Sequence, residues 1–420
     1  MQLRPYEAHR CRGPPAISAL LGRNRLFCHE DAFSFFSPTI LKAPEDLVDG
    51  ATGKKLVVDW LGVRVERDLY CHTSYYRQRV AHAIRAEICD LEAWLAIRPA
   101  GAFPQPLPLP LVAEEYFEYV DVLDSVLAYA RRRGGVESHD HELWRNRPYR
   151  FVELGAGFGL WTLTAHAALQ QLAATGHLAG GAGGAAARSA PGGGSRFEAI
   201  CLEADPAKLK DLRRTLARNR VDNVTVLGGA IAREGGEQQV ALGGKAGFYA
   251  VHVMDDTLRQ HYESSGHRLN YASTLSVRSI LRPLVGRRGR RDAGLVDMLD
   301  VDVQGQEHHL FDEGTMSLLD RQVLRVHIGT HGDASHPGTK PQLTGEQNAS
   351  ATEYDFERTL DVREREIARR FVAHGWRPRW TFGMNAGLCD LPELFRATPL
   401  GYACMADGVL GFVNPRLEGQ

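Results

Sequence analysis

The segment 151–159, Phe-Val-Glu-Leu-Gly-Ala-Gly-Phe-Gly, constrains the fold of this chain more than any other. A short apolar run carries an acid near its end, and three glycines follow at alternate positions. Glycine has no Cβ, so such a loop can turn tightly and let a ligand approach the main chain closely. After the loop, apolar residues recur from Leu160 to Leu172 at the three-and-four spacing of a helix. We therefore predict a strand, a ligand-binding loop and a helix in succession.

A second apolar run, 197–203, also ends in an acid, Glu203. Asp205 and Pro206 follow it as the N-cap and first position of a predicted helix. An acid at this strand tip can accept hydrogen bonds from both ribose hydroxyls of a nucleoside cofactor; a solvated strand-end carboxylate is the bland alternative. Glu203 lies further from the glycine loop than the usual spacing of about 20 residues. We attribute the excess to the Gly/Ala-rich segment 173–195, predicted to be a flexible surface insertion.

Strands and helices continue to alternate, which predicts an α/β fold with a mainly parallel sheet covered on both faces. The expected fold is a Rossmann-like sheet of seven strands. The third strand, at 224–227, precedes small residues up to Ala230 that leave room for an adenine ring. The remaining predicted elements are a fourth strand at 295–303, a fifth at 323–328, a helix at 353–373 and a final antiparallel pair at 376–382 and 408–413.

The glycine spacing departs from the dinucleotide pattern G-x-G-x-x-G, because Leu160 stands where the third glycine belongs. An acid before alternating glycines instead resembles the first motif of class I S-adenosylmethionine-dependent methyltransferases. In that family the loop holds the methionine end of the cofactor. The resemblance implies S-adenosyl-L-methionine as cofactor. The residues expected to contact it are Glu153, Gly155, Ala156, Gly157, Gly159, Glu203, Ala204 and Ala230.

The segment 300–307 resembles more narrowly the FkbM-like methyltransferases, which carry lysine-x-Asp-x-Glu-Gly-x-Glu at the end of the fourth strand. Asp302, Gly305 and Glu307 match that pattern. Asp300 and Gln304 depart from it, since the family has lysine and glutamate at these places. The resemblance extends from about residue 114 to the C-terminus and is patchy between the third and fourth strands.

Methyl transfer to a hydroxyl needs aligned reactants and a group that removes the hydroxyl proton. In an open α/β sheet such groups lie at the carboxyl ends of the strands, where Asp302, His327 and His331 fall. These three are the catalytic candidates, because a carboxylate or an imidazole can accept a proton near neutral pH. A histidine on a strand is also often a hydrogen-bonded core residue, so both interpretations stay open. We considered a metal held by Asp300, Asp302 and a histidine, but predict none, since strand-end acids commonly occur without one.

Residues 1–110 are interpreted as an N-terminal extension that contains a hairpin at 54–66 and ends in the Pro-rich stretch 104–110. Residues 111–420 are interpreted as the catalytic domain, which begins with a predicted helix at 114–129. The division places all of the expected cofactor and catalytic residues in the second segment.

The composition excludes several classes of function. A net charge of −1 gives no reason to expect nucleic acid as a partner, and no apolar run approaches the roughly 20 residues of a membrane helix. Seven cysteines without a C-x-x-C pair indicate a reducing compartment and no zinc site. We expect a soluble, cytoplasmic protein, although the Arg-rich first thirty residues weakly resemble an organelle transit peptide. The sequence leaves the oligomeric state open.

Three hypotheses follow for function. The first is a methyltransferase that acts on an oxygen of a small molecule or sugar. The second is an NAD(P)-dependent oxidoreductase on a related sheet, and the third is a cofactor-binding module without catalytic activity, suggested by the departures at Asp300 and Gln304.

Overall fold

The structure is a computed structural model of the whole chain. The residues that it describes are 48–50, 52–58, 61–66, 68–69, 116–134, 144, 147–176, 178, 197–233, 236–243, 250–253, 270–284, 294–303, 306–331, 360–382 and 408–418. They belong to two compact units, which meet in sequence between Val120 and Asp121. The predicted division at residue 110 lies outside the described residues and stays a prediction.

The first unit contains two short strands, β1 (Leu56–Val58) and β2 (Arg64–Glu66). They pair antiparallel with Leu56 opposite Glu66, within the segment predicted as a hairpin. Lys54 forms an ion pair with the buried Glu66 at 2.7 Å. Helix α1 (Tyr116–Gly134) begins in this unit and continues into the second.

The second unit alternates strands and helices. Its strands are β3 (Tyr149–Leu154), β4 (Phe197–Glu203), β5 (Val224–Gly228), β6 (Ala230–Ile231), β7 (Gly236–Gly243), β8 (Ala250–Val253), β9 (Asn270–Leu275), β10 (Met298–Val301), β11 (Arg325–Thr330), β12 (Arg377–Phe382) and β13 (Gly408–Val413). Its further helices are α2 (Leu160–Ala174), α3 (Pro206–Arg218), α4 (Val277–Leu281), α5 (Glu307–Leu310), α6 (Glu313–Gln322), α7 (Val362–Ala373) and α8 (Pro415–Glu418). None of the described helices is long and apolar enough to span a bilayer.

The main sheet has seven strands in the order β12-β13-β11-β10-β3-β4-β5. The pairs from β11 through β5 are parallel, and β13 lies antiparallel between β11 and β12. The predicted seven-stranded, mostly parallel α/β sheet is confirmed. The chain builds outward from β3 in one direction and from β10 in the other, so the strand order reverses between β3 and β10. Ligands bind at this reversal point in open α/β sheets.

The strand positions agree with the sequence better than the strand bounds do. The predicted fourth strand, 295–303, is reduced to Met298–Val301, although Val296 still forms an isolated bridge with Val323. The apolar run is longer than the ladder because residues that flank a strand can be buried without pairing. Asp205 accepts a hydrogen bond from the Ala207 N–H at 2.7 Å, which confirms the predicted cap of α3. Helix α2 continues to Ala174, and most of the predicted insertion lies outside the described residues.

A second sheet, in the order β6-β9-β7-β8, has no counterpart in the sequence prediction. It lies between β5 and β10 along the chain, where the resemblance is patchy. Strand β7, Gly-Glu-Gln-Gln-Val-Ala-Leu-Gly, offers little of the apolar alternation by which a strand is detected. Pairing with β8 and β9, which only the fold brings together, determines this strand.

Alternation along the strands gives the main sheet two different faces. Val152, Leu154 and their equivalents on neighbouring strands join one buried apolar cluster with α4, α6 and α7. Within it, the rings of Phe371 and Phe412 stack at 4.3 Å. The opposite face carries Glu153, which contacts Thr162 of α2. Glu153, Asp300 and His327, which are opposite one another in the strand register, therefore lie on the face away from this cluster.

Candidate functional site

The glycines after β3 have different structural roles. A Cβ at Gly155 would lie 1.7 Å from the main-chain oxygen of Asp302, and a Cβ at Gly159 would lie 2.6 Å from Leu212. At Gly157, with φ of +55°, a Cβ would meet nothing within 4 Å. Gly155 is therefore required for packing against main chain, a Cβ at Gly159 would displace the end of the Leu212 side chain, and Gly157 borders open space.

The amides of the glycine loop already donate within the protein. The N–H groups of Gly155 and Ala156 both donate to the Leu202 oxygen at 2.9 Å, and Gly159 donates to Ala156 at 2.6 Å. Gly157 donates to the carboxylate of Glu203 at 2.8 Å. The loop thus differs from a phosphate cradle, in which several main-chain amides must point at the ligand.

Glu203 joins the loop to the end of β4. Its carboxylate accepts from the N–H of Gly157 and, at 2.7 Å, from that of Asp205. Burial raises the pKa of Glu203, while Lys208 and the two N–H groups act in the opposite direction. The side chain is buried, but it lies beside the open space at Gly157, where a ligand would come within its reach.

Glu153 accepts hydrogen bonds from the first turn of helix α2. Its carboxylate accepts from the N–H and hydroxyl of Thr162 and, at 3.4 Å, from the N–H of Trp161. Negative charge at a helix N-terminus is favourable. Burial nevertheless dominates and raises the pKa of Glu153 to about 7. Glu153 contacts the loop's helix and not the open space at Gly157.

Glu153 belongs to a lateral series of ionisable residues on adjacent strands. It lies opposite Asp300 in the β3–β10 register, and Asp300 lies opposite His327 in the β10–β11 register. All three are no more than 1% exposed. His327 Nδ1 is 2.7 Å from a carboxylate oxygen of Asp121 on α1. We call Glu153, Asp300 and His327 the buried row.

A second series lies at the carboxyl edge of the sheet. Glu203 ends β4, Asp302 follows β10 and His331 follows β11. His331 Nε2 is 3.3 Å from Asp302, whose side chain is 37% exposed. Gly329 lies next to both, since a Cβ there would be in van der Waals contact with each at 3.8 Å. We call Glu203, Asp302 and His331 the edge row.

Glu307, at the start of α5, completes the environment of His331. Its carboxylate oxygen is 2.9 Å from His331 Nδ1, and its side chain is 3% exposed. One ligand atom each from Asp302, Glu307 and His331 lie within 4.8 Å of one another, close enough for a shared ion. The two ring nitrogens face different carboxylates, however, which is the arrangement of a hydrogen-bonded imidazole. Asp300, which the sequence had grouped with Asp302, does not belong to this cluster.

The two alanines expected near the cofactor differ in position. Ala204 lies in the bend between Glu203 and Asp205 and is partly exposed. Ala230 is 1% exposed in β6, where it pairs with Thr274 of β9. Gly229 connects the two regions, since its N–H donates to the main-chain oxygen of Glu203 at 3.0 Å.

Two residues of the site had no assigned role in the sequence analysis. Glu307 matched the FkbM-like pattern, which was the available signal. Thr162 gave no signal, because a threonine in the first turn of a helix is ordinary. Its contact with Glu153 depends on the way α2 folds back over β3.

No protein-family model matches the chain, and no curated protein matches it. Solved structures give weak similarities. Fibrillarin of Aeropyrum pernix, solved with S-adenosyl-L-methionine, has 13% identity over 68% of this chain and 74% of its own, with a TM-score of 0.26. Methyltransferase FkbM of Methylobacillus flagellatus has 11% identity over 51% of this chain and 50% of its own, with a TM-score of 0.22. A putative O-methyltransferase of Klebsiella pneumoniae has 13% identity over 70% of this chain and 90% of its own, with a TM-score of 0.23. Scores of this size do not establish relationship, so the fold stands on the chain's own strand order.

Proposed function

We propose that the protein is an S-adenosylmethionine-dependent methyltransferase that acts on a hydroxyl oxygen of a small molecule or sugar. The observation that carries the proposal is the internal hydrogen bonding of the main-chain amides in the glycine loop. Four of its amides are hydrogen-bonded within the protein, while carboxylates of Glu203 and Asp302 lie at the adjoining strand ends. This combination suits a cofactor that is cationic, not anionic.

Electrostatics distinguish the two cofactors that the sequence left open. The pyrophosphate of NAD(P) needs free main-chain N–H groups and tolerates nearby carboxylates poorly. S-adenosylmethionine carries a sulfonium and an ammonium group, which favour carboxylate and carbonyl oxygens. The site at the reversal between β3 and β10 supplies such oxygens, so the oxidoreductase alternative is not favoured.

Three of the predicted cofactor residues, together with Asp302, have a place in this proposal. Gly157 gives the open space against which the cofactor lies, and Gly155 brings the loop against Asp302. The Glu203 carboxylate would accept hydrogen bonds from the ribose hydroxyls. It would use the lone pairs that are not already engaged by the N–H groups of Gly157 and Asp205. Asp302 faces the cationic end of the cofactor. When bound, the cofactor supplies a methyl group on a positively charged sulfur that leaves with the C–S bonding pair as the methyl–oxygen bond forms.

Among the catalytic candidates, we assign proton removal to His331. It lies in the edge row next to the partly exposed Asp302, so an acceptor hydroxyl can reach it. His327 is buried and paired with Asp121, and we assign it a supporting role in the sheet. A positioned base contributes about 10²- to 10⁴-fold to such a reaction.

Calorimetric titration with S-adenosylmethionine and with its demethylated product tests the proposal. We expect Gly157→Val to abolish binding, because its side chain fills the open space. Glu203→Ala is expected to weaken binding by about 1.5–3 kcal/mol, the usual effect of losing hydrogen bonds to a charged group.

Glu198→Ala is the matched control, since Glu198 lies on the same strand with a side chain 47% exposed. It should bind as the unaltered protein does. Failure of the well-folded protein to bind either compound would refute the proposal. Binding without methyl transfer to any hydroxyl acceptor would favour the non-catalytic module.

A further inference from the structure

We propose that Glu307 is a positioning residue, which holds the His331 imidazole with its proton on Nδ1 and so presents an unprotonated Nε2 to the acceptor hydroxyl. The inference rests on the proposed function of the site and adds to it the group that orients the base. It starts from the 2.9 Å contact between His331 Nδ1 and the Glu307 carboxylate.

The two carboxylates beside His331 are not equivalent. Glu307 is closer, at 2.9 Å against 3.3 Å for Asp302, and its side chain is 3% exposed against 37%. A hydrogen bond in a dry environment is electrostatically stronger than one that water competes for. Glu307 therefore determines which ring nitrogen keeps the proton in the neutral imidazole.

Local structure keeps Glu307 in this position. It is the first residue of α5, and its side chain is buried beside the end of β11, which His331 directly follows. Thr330, the preceding residue, is itself hydrogen-bonded to Glu364 of α7 at 2.7 Å. The main chain on both sides of the contact is thus held by regular elements.

The chemical consequence concerns one proton. As the acceptor oxygen forms its bond to the methyl group, the hydroxyl proton passes to Nε2 of His331. The resulting imidazolium has Glu307 at Nδ1 and Asp302 at Nε2, so both carboxylates stabilise the new positive charge. Without Glu307, the Asp302 carboxylate at 3.3 Å from Nε2 is the acceptor that remains beside the ring, so more of the population carries its proton on Nε2, which blocks the transfer.

Nitrogen NMR of protein with ¹⁵N-labelled histidine tests the inference without any substrate. At a pH where the ring is neutral, we expect His331 to show a protonated Nδ1 and an unprotonated Nε2. In Glu307→Gln the signals should move toward a mixture of the two tautomers. His331 in the unaltered protein carrying its proton on Nε2 would overturn the inference, whether or not the variant folds.

Kinetics provide a second measurement once an acceptor is found. Glu307→Gln should lower kcat about 10²-fold with KM for the cofactor within about twofold, and should have no further effect in a His331→Asn background. A purely structural role would instead give additive losses, which would overturn the inference.

Glu366→Gln is the control, because Glu366 is exposed on α7 and pairs with Arg370. Glu366→Gln should leave the His331 signals unchanged. Glu307→Gln should in turn leave unchanged the signals of His374, whose Nδ1 is 2.8 Å from Asp320. Metal analysis of the purified protein completes the test. A stoichiometric divalent ion that is lost in His331→Asn would overturn the inference in favour of a metal site. Absence of cofactor binding would refute the proposed function while leaving the tautomer result intact.

Discussion

The buried row and the edge row contain the same kinds of side chain in very different surroundings. Glu153, Asp300 and His327 lie within the ladder, each no more than 1% exposed, below the helices that cover this face. Glu203, Asp302 and His331 lie at or just beyond the strand ends, and Asp302 keeps a 37% exposed side chain. Only Val301 lies between Asp300 and Asp302, yet one side chain is buried in the sheet and the other lies at its edge.

The difference shows that residue type does not determine role at the end of a parallel sheet. A carboxylate or imidazole inside the ladder must be satisfied by its neighbours, as Glu153 is by Thr162 and His327 is by Asp121. One that passes the end of the strand borders the region where ligands bind. We therefore propose that the buried row serves stability and the edge row serves chemistry, and the following predictions test this division.

The largest contrast is expected between the two histidines. His331→Asn should lower kcat by about 10²- to 10⁴-fold with cofactor affinity nearly unchanged, because the base is lost. His327→Asn should lower the free energy of unfolding by about 2–3 kcal/mol, because Asp121 loses a buried partner. Urea titrations and steady-state kinetics on both variants measure the two effects. The division between the two rows would be wrong if His327→Asn lowered kcat and His331→Asn mainly lowered the free energy of unfolding.

The glycines should show a contrast in stability alone. Gly155→Ala places a Cβ against the Asp302 carbonyl and should cost about 4 kcal/mol or prevent folding. Gly157→Ala meets open space and should cost about 1 kcal/mol, the strain of its positive φ. Thermal or urea unfolding of the two variants compares them directly. Equal losses would show that the loop does not pack against β10 as described.

A smaller effect is expected from Glu153, which should make the free energy of unfolding depend on pH. Burial raises its pKa from 4.5 to about 7, so between these values the folded state binds more protons than the unfolded state. Stability must therefore fall as pH rises through this window and level off above it. Glu153→Gln removes this dependence, and its stability relative to the unaltered protein should rise by roughly 3 kcal/mol from pH 4.5 to pH 8.

Urea titrations across that pH range provide the measurement. Glu198→Gln, on the neighbouring strand with a half-exposed carboxylate, serves as the control and should leave the pH dependence unchanged. A dependence that survives in Glu153→Gln would mean that another member of the buried row binds the proton.

Much of the fold could be predicted from local pattern. The apolar runs, the glycine loop and the capped helix after Asp205 each depend on neighbours in sequence, and each is confirmed. The sheet of β6 to β9 could not be predicted, because β7 lacks apolar alternation and is ordered by its pairing with β8 and β9. Likewise the sequence could not show that the amides of Gly155, Ala156, Gly157 and Gly159 donate to acceptors in β4 and in the loop itself.

The sequence by itself determined that ionisable residues occur at or near the strand ends at Glu153, Glu203, Asp302 and His331, because strand position and alternation are local properties. Only the tertiary structure decided which of them are covered. Helix α2 lies over Glu153, α1 supplies Asp121 to His327, and α5 brings Glu307 to His331. Burial and hydrogen-bond partners are set by elements far apart in the chain, and these two quantities separate a structural side chain from a reactive one.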